Sequence, residues 1–456
     1  MVELKIPNEW LKVNISDIAD VDLGKTPKKS DYLSIGDYKV VKFRDVDYIG
    51  IDWTTDKDGF VGEKSVVGLR ELKLHDVLIT ASAHSSEHIG RKICFVNKLP
   101  RSYRKIFFCG ELLGISPKIG YLSAKYCFYY FLSHTGYKEI QSHVKGVHLT
   151  SGQARNMSFP FTPQPEQDRI IEIVEELFSD LDNAIENLKK AQEQLKIYRQ
   201  AVLSAAFDGG SSKAGFSRKN WKEMSVDEIG EVITGNTPSK QESSYYGRAY
   251  PLYKPGDLDA GFMTIDSVDG LTEKGIEKAR MLPAKSILVT CIGATIGKTG
   301  LIRRAGASNQ QINAIVPKDF MISEYVYYFC VSPKFQEQIK SNASATTLPI
   351  LNKTKFQRLM LLVPSRDEQV AIVQEIESRF SLCEKLEETI HINLQKAESL
   401  RQSILKQAFE GKLTEQWRKK HKDLISGENS AEALLKKIKA EKEALQAKPK
   451  GKKKHD

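Results

Sequence analysis

The chain has 456 residues, of which 41% are hydrophobic and 28% charged, and its formal net charge is +10. This length accommodates two globular domains plus helical spacers, each domain being large enough to bury its own core. No run approaches 18 consecutive apolar residues and the N-terminus shows no charged-then-apolar leader, so we predict a cytoplasmic protein. The six cysteines are never closely paired, which argues against a disulfide framework and against a local cysteine-based zinc site.

An internal duplication organises the chain. Equivalent residues recur at a constant interval, so that Trp10, Ile18, Gly24, Thr26 and Pro27 correspond to Trp221, Ile229, Gly235, Thr237 and Pro238. Both copies later show a Glu-Gln pair and close on Ala-Phe-(Asp/Glu)-Gly. Repeats of this size predict two pseudo-symmetric halves, each a globular domain followed by a helix. Because the copies agree in framework and differ in between, we expect one task performed on two different targets.

The second part of each copy predicts a long helix. Apolar residues recur at alternating steps of four and three over 170–202, and the second copy keeps this heptad over 372–404 with Arg379 and Asn393 in the seam. Glu166 and Glu368 place negative charge at the positive end of each helix dipole. Each helix would be roughly 65 Å long, too long for the interior of a compact domain. We predict an antiparallel pair acting as a spacer, with ordinary amphipathic helices of a bundle as the alternative.

Charge is distributed unevenly between these parts. Basic residues are in excess in both predicted globular parts and in residues 412–456, whereas acidic residues are in excess in the two predicted helices. Basic domains on acidic helices suit a polyanion that only the domains bind. The lysine-rich end at 448–454 is predicted to be a solubilising disordered tail, and the helix predicted at 431–445 is a candidate contact for a partner.

Two strings resemble catalytic motifs and fail on geometry. Gly293–Thr299 resembles a phosphate-binding loop, but three residues separate its glycines where that motif needs four. His84–His88 has the H-x-x-E-H spacing of one zinc peptidase class, which requires a helix. Since the string follows a strand-like segment at 76–80, we predict a loop, and a zinc hydrolase built on it remains a minor alternative. No methyltransferase, cosubstrate or nuclease pattern is convincing, so we predict that the chain is not an enzyme.

Taken in order, these features resemble the specificity subunit of type I restriction–modification enzymes. The resemblance rests on the doubled Gly-(Asn/Lys)-Thr-Pro turn, the proline-then-Glu-Gln helix openings and the Ala-Phe-(Asp/Glu)-Gly endings. It also includes Gly293–Gly297, and the tail segments 413–418 and 423–429 look like the subfamily typified by enteric-bacterial enzymes. It covers essentially the whole chain.

This resemblance implies two target-recognition domains of mixed α/β (α+β) fold, each reading one half of a bipartite, asymmetric site in double-stranded DNA. Two long antiparallel coiled-coil helices would measure the gap between the halves and dock two modification subunits. Those partners would bind S-adenosylmethionine and methylate adenine, while restriction subunits would use ATP and Mg to translocate and cleave DNA. The chain itself would bind no cofactor or metal. The main alternative is a stand-alone DNA-binding adaptor or regulator without a restriction partner.

The predicted boundaries follow from the duplication: domain 1 at 1–160, helix 1 at 161–210, domain 2 at 211–362, helix 2 at 363–412 and a helical, basic tail at 413–456. Base reading requires polar or basic side chains presented to a groove, with phosphate contacts nearby. In domain 1 we predict DNA contacts from Lys42, Arg44, Ser82, His84, Ser85, Ser86, Arg91, Lys145 and Gln153. In domain 2 we predict them from Lys254, Thr295, Lys298, Asn309, Gln310, Gln311, Asn342 and Thr346. For each residue the alternative is a solvated loop or a capping side chain.

Overall fold

The computed structural model describes residues 5–47, 50–54, 59–208, 220–344 and 348–447. Thr346 and the lysine-rich end at 448–454 lie outside these ranges. Within them, no helix is both long enough and apolar enough to cross a membrane.

The first domain consists of short strands and short helices. Its strands are β1 (Leu11–Asn14), β2 (Ala19–Leu23), β3 (Tyr32–Leu33), β4 (Tyr38–Val41), β5 (Val46–Asp47), β6 (Gly50–Ile51), β7 (Phe60–Val61), β8 (Val77–Thr80), β9 (Ile93–Phe95), β10 (Lys105–Phe108), β11 (Leu112–Pro117) and β12 (Ser158–Phe161). Its helices are α1 (Ile15–Ile18), α2 (Ala124–Leu132), α3 (His134–His143) and α4 (Ser151–Ala154), after which the 45-residue helix α5 (Gln164–Asp208) begins.

Two four-stranded sheets and two two-stranded ribbons, one of them β5-β6, build this domain. The central sheet is antiparallel with the order β2-β11-β8-β9, the second sheet has the order β10-β4-β7-β3, and β1 pairs with β12. All four residues of β8 are buried, because successive side chains point to opposite faces and both faces are covered. Val77 and Ile79 belong to one hydrophobic cluster, whereas Leu78 belongs to another.

The second domain repeats this plan. Its strands are β13 (Lys222–Ser225), β14 (Gly230–Thr234), β15 (Tyr246–Tyr253), β16 (Gly270–Leu271), β17 (Ile287–Thr290), β18 (Thr299–Leu301), β19 (Ala307–Ser308), β20 (Ile312–Pro317) and β21 (Met360–Val363). Its helices are α6 (Val226–Ile229), α7 (Glu273–Ile276), α8 (Ser323–Val331), α9 (Pro333–Asn342) and α10 (Lys353–Gln357). The central sheet β14-β20-β17-β18 has the strand order of β2-β11-β8-β9, and β13 pairs with β21 as β1 does with β12. The 44-residue helix α11 (Arg366–Phe409), α12 (Glu415–Lys420) and α13 (Ala431–Ala447) follow.

The described chain divides into two compact units, and the boundary between them falls within each of the two long helices. Unit 1 contains the residues up to 186 and those from 394 onward, and unit 2 contains 187–393. In unit 1, Asp182 of α5 pairs with Arg401 of α11, while Glu166 contacts Thr414, so the two helical segments run antiparallel. In unit 2, Arg199 pairs with Glu387 at 3.1 Å. The two mixed domains and the long helix pair predicted from the sequence are confirmed; the predicted domain boundaries stay predictions.

The heptad seam packs less completely than its pattern predicts. Cys383 and Ile390 are buried, but Tyr198, Leu386 and Leu400 at seam positions are 41%, 44% and 48% exposed. The reason is geometric, because a single partner helix covers only part of a seam side chain. Arg379 does not enter a core either: its guanidinium binds Glu375 on its own helix.

The end of each long helix packs into the domain of the other repeat. Phe409, which ends α11, contacts Tyr126 and Tyr130 of α2 in unit 1, with ring centroids 5.2 and 5.3 Å apart. Phe207 of α5 contacts Tyr325 and Phe329 of α8 in unit 2, at 5.4 and 4.9 Å. The Phe of each Ala-Phe-(Asp/Glu)-Gly string is therefore a core residue of the unit in which its helix ends.

In the repeated Glu-Gln pair, the glutamine has the same role in both copies, whereas the glutamate does not. Gln167 accepts a hydrogen bond from the Ser123 backbone at 2.8 Å and donates to the Tyr121 and Thr162 carbonyls, and Gln369 makes the equivalent contacts. Each glutamine thus joins the start of a long helix to the loop before α2 or α8. Glu368 caps its own helix by accepting hydrogen bonds from Ser365.

Glu166 has a different environment, because it is fully buried in unit 1. Its carboxylate accepts hydrogen bonds from the Trp10 indole at 2.8 Å, the hydroxyls of Thr162 and Thr414 at 2.7 Å, and the Arg418 guanidinium at 2.5 Å. Arg418 is 8% exposed and also donates to the Gly411 carbonyl. Four polar partners, one of which carries the opposite charge, compensate the loss of hydration that a buried carboxylate suffers.

Candidate nucleic-acid interface

In unit 1, several loops meet at one end of the central sheet. The register pairs Leu23 with Leu113, Leu112 with Thr80, and Ile79 with Ile93, so β2 and β8 end where β11 and β9 begin. We call the surface formed there by residues 24–27, 42–44, 81–92, 109–111 and 144–150 the first loop surface.

Backbone contacts hold these loops together. The Gly110 N–H donates to the Thr26 hydroxyl at 3.0 Å, and Ala81 donates to the Glu111 carbonyl at 2.8 Å. Gly24 is required because an added Cβ would lie 2.1 Å from the Cys109 carbonyl oxygen. The Gly-x-Thr-Pro turn is therefore a packing element that brings adjacent strand ends together.

Lys42 and Arg44 lie where β4 ends, on the first loop surface. The Lys42 ammonium lies 4.0 Å from the centre of the Tyr32 ring, and its backbone N–H donates to Asp45 at 2.8 Å. Arg44 is exposed and lies 3.5 Å from the Asp45 carboxylate. Burial raises the pKa of Tyr32 to about 12.

Lys92 extends this basic cluster and was missed in the sequence analysis. Its ammonium lies over the Phe43 ring at 4.4 Å and donates to the Phe43 carbonyl at 3.4 Å. A lysine at the start of a strand carries no local signal of such a contact. Arg91 beside it is exposed, with its guanidinium 4.4 Å from the centre of the Tyr137 ring.

The loop after β8 pairs with the segment before α4. The Ser82 hydroxyl lies 2.8 Å from His148 Nδ1, and the two residues form an isolated antiparallel bridge. Lys145 is exposed and begins the tight turn that ends at His148. Gln153 caps α4 together with Thr150 through reciprocal hydrogen bonds, so its side chain organises this segment.

His84, Ser85 and Ser86 lie in the same loop, which contains only a single 3₁₀ turn at Ser86–His88. The predicted loop is thus confirmed in place of the helix that a zinc peptidase requires. The Ser85 hydroxyl contacts His88 Nδ1 at 2.6 Å, whereas His84 and Ser86 are exposed. Across the described ranges, no group of three or more His, Cys, Asp or Glu residues is placed to hold a metal ion.

Unit 2 has an equivalent surface at the same end of its central sheet. We call the residues 235–238, 254–257, 291–298, 309–311 and 348–351 the second loop surface. Lys254 matches Lys42, because its backbone N–H donates to Asp257 at 2.7 Å just as Lys42 donates to Asp45. The Lys-x-x-Asp string at both places is a sequence signal of this equivalence. The Lys254 ammonium forms an ion pair with Asp269.

The other predicted contacts of domain 2 differ in their exposure. Thr295 is exposed at the tip of the loop after β17, and Lys298 pairs with Asp259 at 2.6 Å. Gln310 is exposed and accepts a hydrogen bond from Thr237 at 3.0 Å. Asn309 is only 7% exposed, and its amide donates to Gln311 at 2.9 Å, so it supports the turn from within. Asn342 is exposed at the end of α9 and does not belong to the second loop surface.

The two surfaces share a framework and differ in chemistry. The first gathers basic side chains and histidines, whereas the lysines of the second are paired with carboxylates. Cationic side chains around polar loops can bind phosphates and present hydrogen-bonding groups to base edges. No reacting group is assembled on either surface by the residues described above. The geometry therefore suits recognition of two different sequences by one scaffold.

Comparison with protein families identifies one known domain that matches the chain twice. The model of the type I restriction modification DNA specificity domain matches residues 7–196 and again 218–396. Over 99% of its length the chain is 28% identical to the type I restriction enzyme EcoBI specificity subunit of Escherichia coli, covering 96% of that protein. It is 31% identical to the HindI specificity subunit of Haemophilus influenzae over 33% of each chain.

Two solved structures share the fold. One comes from a study of complex assembly and conformational transition of the type I R-M system, with a TM-score of 0.67, 16% identity, and coverage of 90% of this chain and 100% of that chain. The other is the HsdS subunit from Thermoanaerobacter tengcongensis, with a TM-score of 0.57, 17% identity, and coverage of 90% and 98%. Both matches cover 90% of this chain, which confirms the fold predicted from the sequence.

Proposed function

Because the chain belongs to the family of type I restriction–modification DNA specificity domains, we propose that it is the non-catalytic subunit that directs partner enzymes to a bipartite, asymmetric DNA site. Each loop surface reads one half of the site. Modification and restriction subunits supply the chemistry, together with their S-adenosylmethionine, ATP and Mg, and this chain binds no cofactor. It acts in the cytoplasm, where the chromosome lies.

One observation carries the proposal: two equivalent loop surfaces on a repeated framework present different side chains. A symmetric reader of a palindrome needs two identical surfaces, whereas an asymmetric site needs two that differ. Here Arg91 and Lys298 occupy equivalent positions, yet Arg91 lies over Tyr137 while Lys298 pairs with Asp259. The scaffold is thus shared and the chemistry at its loops is not.

The internal repeat also supports docking of two copies of one partner. Arg199 and Arg401 are equivalent, and each forms an ion pair with the opposite long helix inside its own unit. A partner that recognises helix features common to both repeats finds them twice. We propose that two modification subunits bind the long helices in this way and that restriction subunits join the resulting complex.

The long helices are proposed to set the gap between the two half-sites. Inserting one heptad into both α5 and α11 at equivalent positions adds about 10 Å of helix. Since the rise of DNA is about 3.4 Å per base pair, the recognised gap is expected to lengthen by about three base pairs. An unchanged gap in a folded, active complex would show that the helices do not set the spacing.

The test of the proposal is a methylation map. The chain is co-expressed with its candidate modification subunit, and methylated adenines in host DNA are located by single-molecule sequencing. We expect a split, asymmetric motif that is lost when this chain is deleted and changes in one half only when residues 1–160 are exchanged for those of a relative. A stable complex without new methylation would favour a DNA-binding adaptor, and a continuous motif would contradict the two-surface reading.

Single variants test the loop surfaces within that assay. Arg91→Ala removes a cation from the first loop surface and is expected to weaken DNA binding and lessen its dependence on salt. Lys298→Ala is the matched variant in unit 2, where Asp259 already neutralises the lysine, so a smaller change is expected. No change for Arg91→Ala would exclude Arg91 from the interface, and equal losses for the two variants would show that Asp259 does not neutralise Lys298.

A further inference from the structure

The two domains differ at one pair of equivalent positions on their loop surfaces. An isolated antiparallel bridge joins Ser82 to His148 in unit 1 and Ile292 to Ile350 in unit 2. The next residues confirm the equivalence, because Leu149 donates its N–H to the Ala81 carbonyl at 2.8 Å and Leu351 donates to the Cys291 carbonyl at 2.8 Å. Ser82 therefore corresponds to Ile292, and His148 to Ile350.

This pair of positions is polar in domain 1 and apolar in domain 2. Ser82 and His148 are polar and contact each other at 2.8 Å, whereas both members of the second pair are β-branched and apolar. Ile350 is 40% exposed, and the neighbouring Leu348 is 52% exposed. A polar bridge in one copy shows that the position does not need an apolar residue for folding. Ile350 is therefore available for contact with a ligand, and its bridge partner Ile292 is half-buried.

We propose that Ile292 and Ile350 recognise thymine by contacting its C5 methyl group in the major groove. The thymine belongs to the half-site that domain 2 reads, so this inference rests on the proposed function. That methyl is the apolar group by which a base pair is distinguished in this groove. Ser82 and His148 occupy the same place in domain 1 and form hydrogen bonds with base edges there. The two half-sites are thus read by different chemistry at one equivalent position.

The experiment replaces thymine by deoxyuridine, which removes the methyl group and leaves base pairing intact. The probe is a duplex carrying the site found by methylation mapping, and the protein is the full chain assembled with its modification subunits. Replacing the contacted thymine of the second half-site is expected to lower affinity about fourfold, the effect of losing one buried methyl. Replacing thymines of the first half-site is expected to leave affinity unchanged.

A double-mutant cycle separates recognition from a structural role. Ile350→Ala is expected to weaken binding of the thymine duplex and to remove the difference between thymine and deoxyuridine at the contacted position. His148→Ala is the matched variant in unit 1 and is expected to keep that difference. A variant that only disturbed folding would weaken both duplexes equally.

Three outcomes would overturn the inference. They are an affinity indifferent to deoxyuridine, a deoxyuridine effect that persists in both Ile350→Ala and Ile292→Ala, and loss of the modification subunit from the Ile350→Ala complex. The last would show that a protein covers the isoleucines. Absence of any bipartite methylation would instead contradict the proposed function itself, so the two failures are distinguishable.

Discussion

The Arg401 guanidinium lies 4.9 Å from the centre of the Phe178 ring, on the opposite long helix of unit 1. Unit 2 repeats the relationship, with Arg199 lying 5.0 Å from the centre of the Phe380 ring. In each unit a tyrosine packs edge-on against the same phenylalanine: Tyr129 in unit 1 and Tyr328 in unit 2. The pseudo-symmetry of the sequence is therefore present in individual side-chain contacts.

Arg401→Ala is expected to destabilise unit 1 by about 1–2 kcal/mol, because it removes a partly buried cation–π contact and the ion pair with Asp182. Hydrogen exchange should show lost protection in α2 and α3 and none in unit 2. Arg199→Ala is the matched variant and should show the reverse pattern. Equal loss of protection in both units would contradict two separately stabilised contacts.

Glu166→Gln is expected to destabilise unit 1 by about 3–5 kcal/mol, because it leaves the buried Arg418 without its counter-charge. Glu368→Gln, at the equivalent position of α11, should cost about 1 kcal/mol or less, since Glu368 only caps an exposed helix start. Chemical denaturation measures both. Combining Glu166→Gln with Arg418→Met should restore part of the lost stability, and a further loss would contradict the buried-pair argument.

Phe409→Ala is expected to cost about 3–5 kcal/mol, the usual effect of emptying the site of a fully buried aromatic ring. Its effect should be confined to unit 1, although Phe409 ends the helix that begins in unit 2. Phe207→Ala should act on unit 2 by the same argument. Limited proteolysis followed by mass spectrometry locates the loosened unit, and the opposite assignment would contradict the packing described above.

The cysteines are expected to be inert in the native chain. Burial raises the pKa of Cys109 to about 11, and that of Cys94 and Cys291 to about 12. A thiol with a pKa near 11 is about one part in a thousand thiolate at pH 8, so iodoacetamide should label these sites only after denaturation. Labelling should increase toward pH 11. Rapid native labelling of Cys109 at pH 8 would show that the first loop surface opens.

Long helices and the duplicated domains could be predicted from the sequence because their signals are local or periodic. The heptads around Ile170 and Ile372 reflect a repeating burial that each turn of helix reports. The equivalence of Lys42 and Lys254 could be predicted for the same reason, because the Lys-x-x-Asp string that fixes each turn occurs twice. Residues such as His84 and Thr295 could be assigned to loops because they follow apolar, strand-like segments.

Other features could not be predicted because they depend on contacts between distant segments. Glu166 has the local signature of a carboxylate in a first helical turn, yet Arg418, 252 residues away, makes it a buried ion-pair member. Exposure of Leu386 and Leu400 likewise depends on how little a single partner helix covers. From the sequence alone, Asn309 would be expected to be an exposed polar residue. Only the fold shows that its amide donates a hydrogen bond to Gln311 inside a turn.

The split composition of unit 1 has a consequence for synthesis of the chain on the ribosome. Unit 2 is continuous in sequence, whereas Arg418, the charged partner of Glu166, emerges 252 residues after it. At about 5–20 residues per second, the interval is roughly 13–50 s. During that time Tyr126 and Tyr130 lack their contact with Phe409, so the nascent first domain exposes apolar surface to which chaperones can bind. The domain that is translated first is therefore the one completed last.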